Sequence, residues 1–148
     1  MWGVNQRLQS VQAVVANHEL DQVPAAIDRR NVVAATLDRM LTPIPDLTIP
    51  LRSVRDRHAF QIYVILAQRR DALVAYLHLQ GIDAKIHYPT PLHLQPPARA
   101  LGYTPGDCPV AEQQAAEIVS LPCHQFLTDD EVAYMGQQIQ AFYSPWTI

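Results

Sequence analysis

Apolar positions near the N-terminus recur at three- and four-residue spacings. Leu8, Val11, Val14 and Val15 predict an amphipathic helix over 5–18. A second stripe, Val23, Ile27, Val33, Leu37 and Met40, predicts a helix over 20–41. Asp28, Arg29 and Arg30 fall on its wet side, and Pro24 sits in its first turn, where a missing N–H is harmless. Pro43 and Pro45 end it. The period then changes. Residues 59–66 are aromatic and β-branched with partial alternation, which predicts the main strand, and 47–49 predicts a short edge strand. A helix over 69–80 follows, with Gly81 where a C-cap favours positive φ. Residues 84–88 read as a second core strand. Residues 89–97 hold four prolines and read as an ordered loop, with a helical turn at 98–101. A helix over 107–118 with Pro109 in its first turn, a third strand over 119–122, and a last helix to about residue 143 complete the pattern. Thr128 and Glu131 mark the start of that helix as a capping box. The expectation is an α/β (α+β) fold: a small sheet of about three to four strands with helices packed on it. It occupies one domain over 1–148, with a helical segment over 1–42 and a sheet-and-helix core over 43–148.

Composition narrows the classes. The chain has 148 residues, 49% of them hydrophobic, enough for a real core. A net charge of −3 gives no electrostatic reason to expect nucleic acid or an anionic membrane as partner. No apolar run approaches the roughly 20 residues needed to span a bilayer. The first residues lack a signal-peptide layout, so a cytoplasmic location is expected. Cys108 and Cys123 have no CxxC spacing and read as reduced thiols. Of 11 basic residues, Lys85 alone is lysine. Chemistry that needs a lysine amine must use Lys85 or another chain.

The sharpest local signal is the run from Ile86 to Leu94, where a strand ends in His87-Tyr88 and Pro89 and Pro91 stiffen the turn that presents them. That suits a ligand-facing edge, and equally an ordered loop with no ligand. His87 and His93 stand six residues apart, but no acid or thiol lies near them in sequence, which argues against a metal.

Several ordered blocks carry a resemblance. They are Gly3-Val4-Asn5-Gln6-Arg7-Leu8 with Gln12-Ala13, then residues 81–89, Pro91-Leu92-His93, Leu101-Gly102-Tyr103, residues 106–112, Ser120-Leu121-Pro122 and residues 127–131. In this order they resemble the DegT/DnrJ/EryC1/StrS aminotransferases over nearly the whole chain. The resemblance implies a fold-type I enzyme that uses pyridoxal phosphate (PLP) and acts as a homodimer. Most members move an amino group from glutamate to a keto-sugar nucleotide; a few act on cyclitols or aromatic precursors. The Schiff-base lysine and the acid on the pyridinium nitrogen lie in the family's large N-terminal domain, upstream of the matched segment. The chain is therefore expected to be the C-terminal small domain without the PLP-lysine domain, and inactive alone.

The resemblance also assigns residues. Asn5 corresponds to an amide that reaches the PLP phosphate of the opposite subunit, and Arg7 stands where a guanidinium can pair with a phosphate or carboxylate. His87, Tyr88 and, further on, His93 line the substrate side. Each has a plainer reading: Asn5 as a helix cap, Arg7 as a solvated helix residue, Tyr88 as a core aromatic, His87 as a structural histidine. Lys85 matches the strand before His87-Tyr88, not the lysine motif, and reads as a surface residue; alternation puts it on the face of His87. Asn5, His87 and Tyr88 are expected on one side of the fold. The competing reading is a non-catalytic interaction module. It would bind itself or a full-length homologue through an apolar surface that the large domain normally covers.

Overall fold

The computed structural model describes residues 8–53 and 55–144. Two helices open it: α1 (Ser10–Leu20) and α2 (Val23–Leu41). A two-residue strand β1 (Leu47–Thr48) leads to β2 (Tyr63–Ala67) and then α3 (Arg70–Leu79). A 3₁₀ turn (Leu92–Leu94) and the short α4 (Pro96–Arg99) lie in the proline-rich stretch. Then come α5 (Pro109–Glu117), β3 (Ile118–Leu121) and α6 (Asp129–Tyr143). The sheet is antiparallel, in the order β1-β2-β3.

Strand alternation sorts the faces. Tyr63, Ile65 and Ala67 of β2, with Val119 and Leu121 of β3, enter one core with Val33, Leu37 and Leu41 of α2, Leu73 and Leu77 of α3, and Val132, Met135 and Ile139 of α6. Helices α2 and α6 approach closely at Gly136, where an added Cβ would sit 2.5 Å from the Met40 thioether. Val64 and Leu66 point to the opposite face and stay half-buried.

A polar network pins the chain before β2. Tyr63, fully buried, donates its hydroxyl to Asp38 Oδ1 at 2.6 Å, and Arg52 donates to Asp38 Oδ2. The Arg52 guanidinium lies 4.9 Å from the Phe60 ring centre and 5.1 Å from that of Tyr63. Burial, then the Asp38 carboxylate, pushes the Tyr63 phenol far above its usual range, so it stays a neutral donor.

Three expectations change in detail. The main strand begins at Tyr63, not at 59: Phe60 takes φ 42°, which breaks the extended run and turns its ring into the core. The strand expected over 84–88 shrinks to one bridge, Lys85 to Ser120. Its neighbours cannot extend the ladder. Pro122 has no N–H to offer opposite Asp83, and the Ile118 N–H closes α5 on Gln114 O. The first helix buries none of its residues, and Leu8, Val11, Val14 and Val15 are all at least 58% exposed.

The capping box of α6 forms as expected. The Thr128 N–H donates to Glu131 Oε2 at 2.8 Å and the Glu131 N–H donates to Thr128 Oγ1 at 3.2 Å. The bonds from Thr128, backbone first, hold the Glu131 carboxyl below the usual glutamate range. A group lowered in this way contributes stability above its unfolded pKa and loses it as pH falls through the folded value. Thr128→Ala should cost about 1 kcal/mol at neutral pH. Urea unfolding should show this gap narrowing as pH drops below the ordinary glutamate range. Separately, Asp38→Ala should destabilise more than Tyr63→Phe, because it strips the acceptor from both Tyr63 and Arg52. Thermal melts of the two variants test the order.

Candidate functional site

The site is built where α5 runs straight into β3. Ser120 lies mid-strand, between Val64 of β2 and Lys85. Two backbone bonds join it to Lys85: Lys85 N–H to Ser120 O at 2.9 Å, and Ser120 N–H to Lys85 O at 2.7 Å. Residues directly opposite one another in an antiparallel pair share a face. Lys85 and Ser120 therefore both turn to the face away from the core helices, and His87 joins them in lining an open cleft of about 780 Å³. Arg30 from α2, His124 beyond β3 and Tyr134 of α6 complete its polar wall. Arg30 is braced by Gln125, whose Oε1 accepts from Nη2 at 3.0 Å. Cys123 also lines the cleft; burial pushes its thiol up to about 11, which makes it a poor nucleophile.

Lys85 does not sit in the environment of a Schiff-base lysine. Its ammonium is 3.0 Å from Asp83 Oδ2, and both side chains are more than half exposed. The amine stands in water rather than in the enclosed apolar pocket that activates such a lysine. Asp38 is committed to Arg52 and Tyr63. The described residues do not fit a complete PLP site.

The other expected residues fall as follows. His87 and Tyr88 are neighbours, with rings edge-on and centres 5.5 Å apart, yet they open on different hollows. His87 lines the large cleft. Tyr88, 72% exposed, borders a smaller one of about 450 Å³ with Pro91, Leu92, His93 and Cys108. His93 is buried, and its Nε2 lies 2.9 Å from Glu112 Oε1. Asn5 and Arg7 lie outside the described residues. Among the described residues no group of three or more His, Cys, Asp and Glu is arranged to hold a metal ion.

Glu112 is the residue that sequence reasoning missed. Besides His93, its Oε1 accepts from the Gly106 N–H at 2.8 Å and the Cys108 N–H at 3.4 Å. One carboxylate thus ties the loop after Tyr88 to the start of α5. The bond from His93, then the Gly106 amide, holds its carboxyl below the usual range. An acid in the first turn of a helix is a legible signal; its partner 19 residues earlier is not.

The fold is an α/β sheet-and-helix unit that matches solved aminotransferase structures. It aligns with the solved structure of DesV from S. venezuelae in complex with a ketimine intermediate at 27% identity and TM-score 0.90, covering 97% of this chain and 38% of that one. Residues 1–140 match the DegT/DnrJ/EryC1/StrS aminotransferase family, and the chain belongs to it. It is 38% identical over 143 residues to the pleiotropic regulatory protein of Geobacillus stearothermophilus, covering 95% of this chain and 38% of that protein. It is 33% identical over 138 residues to the UDP-N-acetyl-3-dehydro-alpha-D-glucosamine 3-aminotransferase of Acidithiobacillus ferrooxidans, covering 93% and 37%. The chain thus spans less than two-fifths of the length of these relatives.

The tie at Glu112 makes a testable statement. Glu112→Ala should leave the sheet amides protected while the Gly106 and Cys108 amides exchange much faster with solvent. The same two amides should loosen in the unaltered chain as pH falls through the depressed Glu112 value, because the charged acceptor is lost. Hydrogen exchange read residue by residue checks both.

Proposed function

We propose that this chain, 1–148 as one unit, is the C-terminal small domain of a PLP-dependent aminotransferase acting on keto-sugar nucleotides, with glutamate as amino donor. The transaminase name of the A. ferrooxidans relative supports the reaction class. The observation that carries the reading is Lys85: the only lysine of the sequence is exposed and ion-paired with Asp83. The chain lends contacts to the chemistry, and the covalent anchor comes from elsewhere. A second copy or a complementing aminotransferase chain is the partner. No nucleic acid takes part, and the setting is cytoplasmic. No helix among the described residues is long and apolar enough to cross a membrane.

The roles follow from position. The Asn5 amide donates to the PLP phosphate of the opposite subunit, and Arg7 pairs with a phosphate or carboxylate. His87 and Tyr88 border the substrate from the cleft and from the smaller hollow. His93 serves the substrate side from behind: through Glu112 it fixes the loop that carries Tyr88 and Pro91. Incubated with glutamate, PLP and a keto-sugar nucleotide, the chain should show no turnover, and borohydride should trap no adduct. Turnover together with a reduced PLP adduct on Lys85 overturns the reading.

A second reading, a non-catalytic module that binds itself or a full-length homologue, has its own support. The apolar stripe of α1 is exposed, and residues 8–17 carry no charge to oppose association. On this reading light scattering finds concentration-dependent self-association, and Val14→Arg reduces it. A monodisperse monomer that binds no apolar dye excludes it.

A further inference from the structure

The block Ser120-Leu121-Pro122 has so far been given only a backbone role. Ser120 is 3% exposed, yet its Oγ has no hydrogen-bond partner among the described residues. Nδ1 of His87 is likewise buried without a partner. Buried hydroxyls and ring nitrogens are ordinarily satisfied, so two orphans on one cleft wall call for a common explanation.

The topology supplies one. The Lys85–Ser120 bridge fixes the register, and His87, two residues past Lys85 and one step beyond the end of the pairing, stands near the diagonal position to Ser120 on the same cleft wall. Diagonal neighbours across an antiparallel pair lie about 7–8 Å apart, within reach of a long ring side chain. The hydroxyl carries one proton to donate, and a neutral imidazole has one nitrogen able to accept it.

We propose that Ser120 is the positioning residue of His87. Its hydroxyl donates to Nδ1 across one bridging water and so places the imidazole proton on Nε2. The cleft is then offered a fixed N–H donor rather than a ring free to exchange tautomers. A donor at that point selects an oxygen acceptor on the ligand: a carbonyl, a hydroxyl, a carboxylate or a phosphate oxygen. Lys85, opposite Ser120 on the same face, and Arg30 across the cleft favour the anionic members of that set, while Asp83 already occupies part of the Lys85 charge. The acids at the far rim, Asp130 and Glu131, stand in the first turn of α6, and Glu131 is held in its cap. The role of the pair rests on the reading of His87 as a substrate-side residue, but its existence does not.

The test uses the 148-residue chain and the ring nitrogens themselves. Long-range ¹H–¹⁵N spectra are recorded about two pH units above the usual histidine value of about 6.5, where the rings are neutral. His87 should show its proton on Nε2 and an Nδ1 resonance shifted by hydrogen-bond acceptance. Ser120→Ala should move that Nδ1 resonance toward the position of a free acceptor nitrogen and raise the Nδ1–H tautomer. The other five histidines, including His78 on Ala84 O and His93 on Glu112, should stay in place. Ser120→Cys, which fills the same space with a weak donor, should fall between the two and stands alone if the alanine variant does not fold. An Nδ1–H tautomer in the unaltered chain, an unmoved His87 in the alanine variant, or a cysteine variant indistinguishable from the unaltered chain overturns the pairing. None of these results bears on the absence of turnover, which is read separately by borohydride trapping.

Discussion

Two backbone hydrogen bonds between Lys85 and Ser120 hold the candidate site to the fold. They set how Lys85 and His87 face the cleft, because the ladder cannot grow on either side; Ile82 and Ala84, earlier in the segment, are held besides by the core and by the bond between His78 Nε2 and Ala84 O. Pro122 removes the donor on one flank, and the C-cap of α5 uses the Ile118 amide on the other. A single bridge fixes register without making a strand. It leaves the residues just beyond it, His87 and Tyr88, free to splay toward two different hollows.

Behind the bridge stands the buried core. Ser120 directs its amide and carbonyl to Lys85, so by antiparallel geometry Val119 and Leu121 direct theirs to β2. The β2–β3 pair is buried against α2, α3 and α6, and at Gly136 the Met40 side chain of α2 packs directly on the α6 backbone, where a Cβ would collide with it. On the far side of the bridge Glu112 closes a ring. From Lys85 the chain passes through the His87-Tyr88 loop to His93, through Glu112 to α5, along β3 to Ser120, and back to Lys85. Closed rings of this kind hold side chains in place by several short constraints, none strong alone. The same core leaves α1 outside it, with its apolar residues in solvent.

Much of this was legible in the residues. The helices after Pro24, Arg69, Pro109 and Thr128 follow from caps and periodicity, because those signals are local. The family blocks carry the fold class and His87-Tyr88. What was not legible is set by contacts distant in sequence. Phe60 leaves the strand pattern because its ring is drawn into a core and beneath the Arg52 guanidinium. Residues 84–88 have strand composition, but their pairing is decided by what Ile118 and Pro122 do some 35 residues later. His93 was read without an acidic neighbour because Glu112 is near only in space. The orphaned hydroxyl of Ser120 cannot be seen in any sequence. The amphipathic pattern of α1 was read correctly as a helix, and it says nothing about what, if anything, covers it.

The central claim is that one bridge anchors the site segment to a rigid sheet, and amide hydrogen exchange of the unaltered chain at neutral pH measures it directly. The account predicts that the Lys85 and Ser120 amides exchange on the slow timescale of Ile65 and Val119 in the β2–β3 pair. A Lys85 amide that exchanges at the rate of open chain while Ile65 and Val119 remain protected would contradict it.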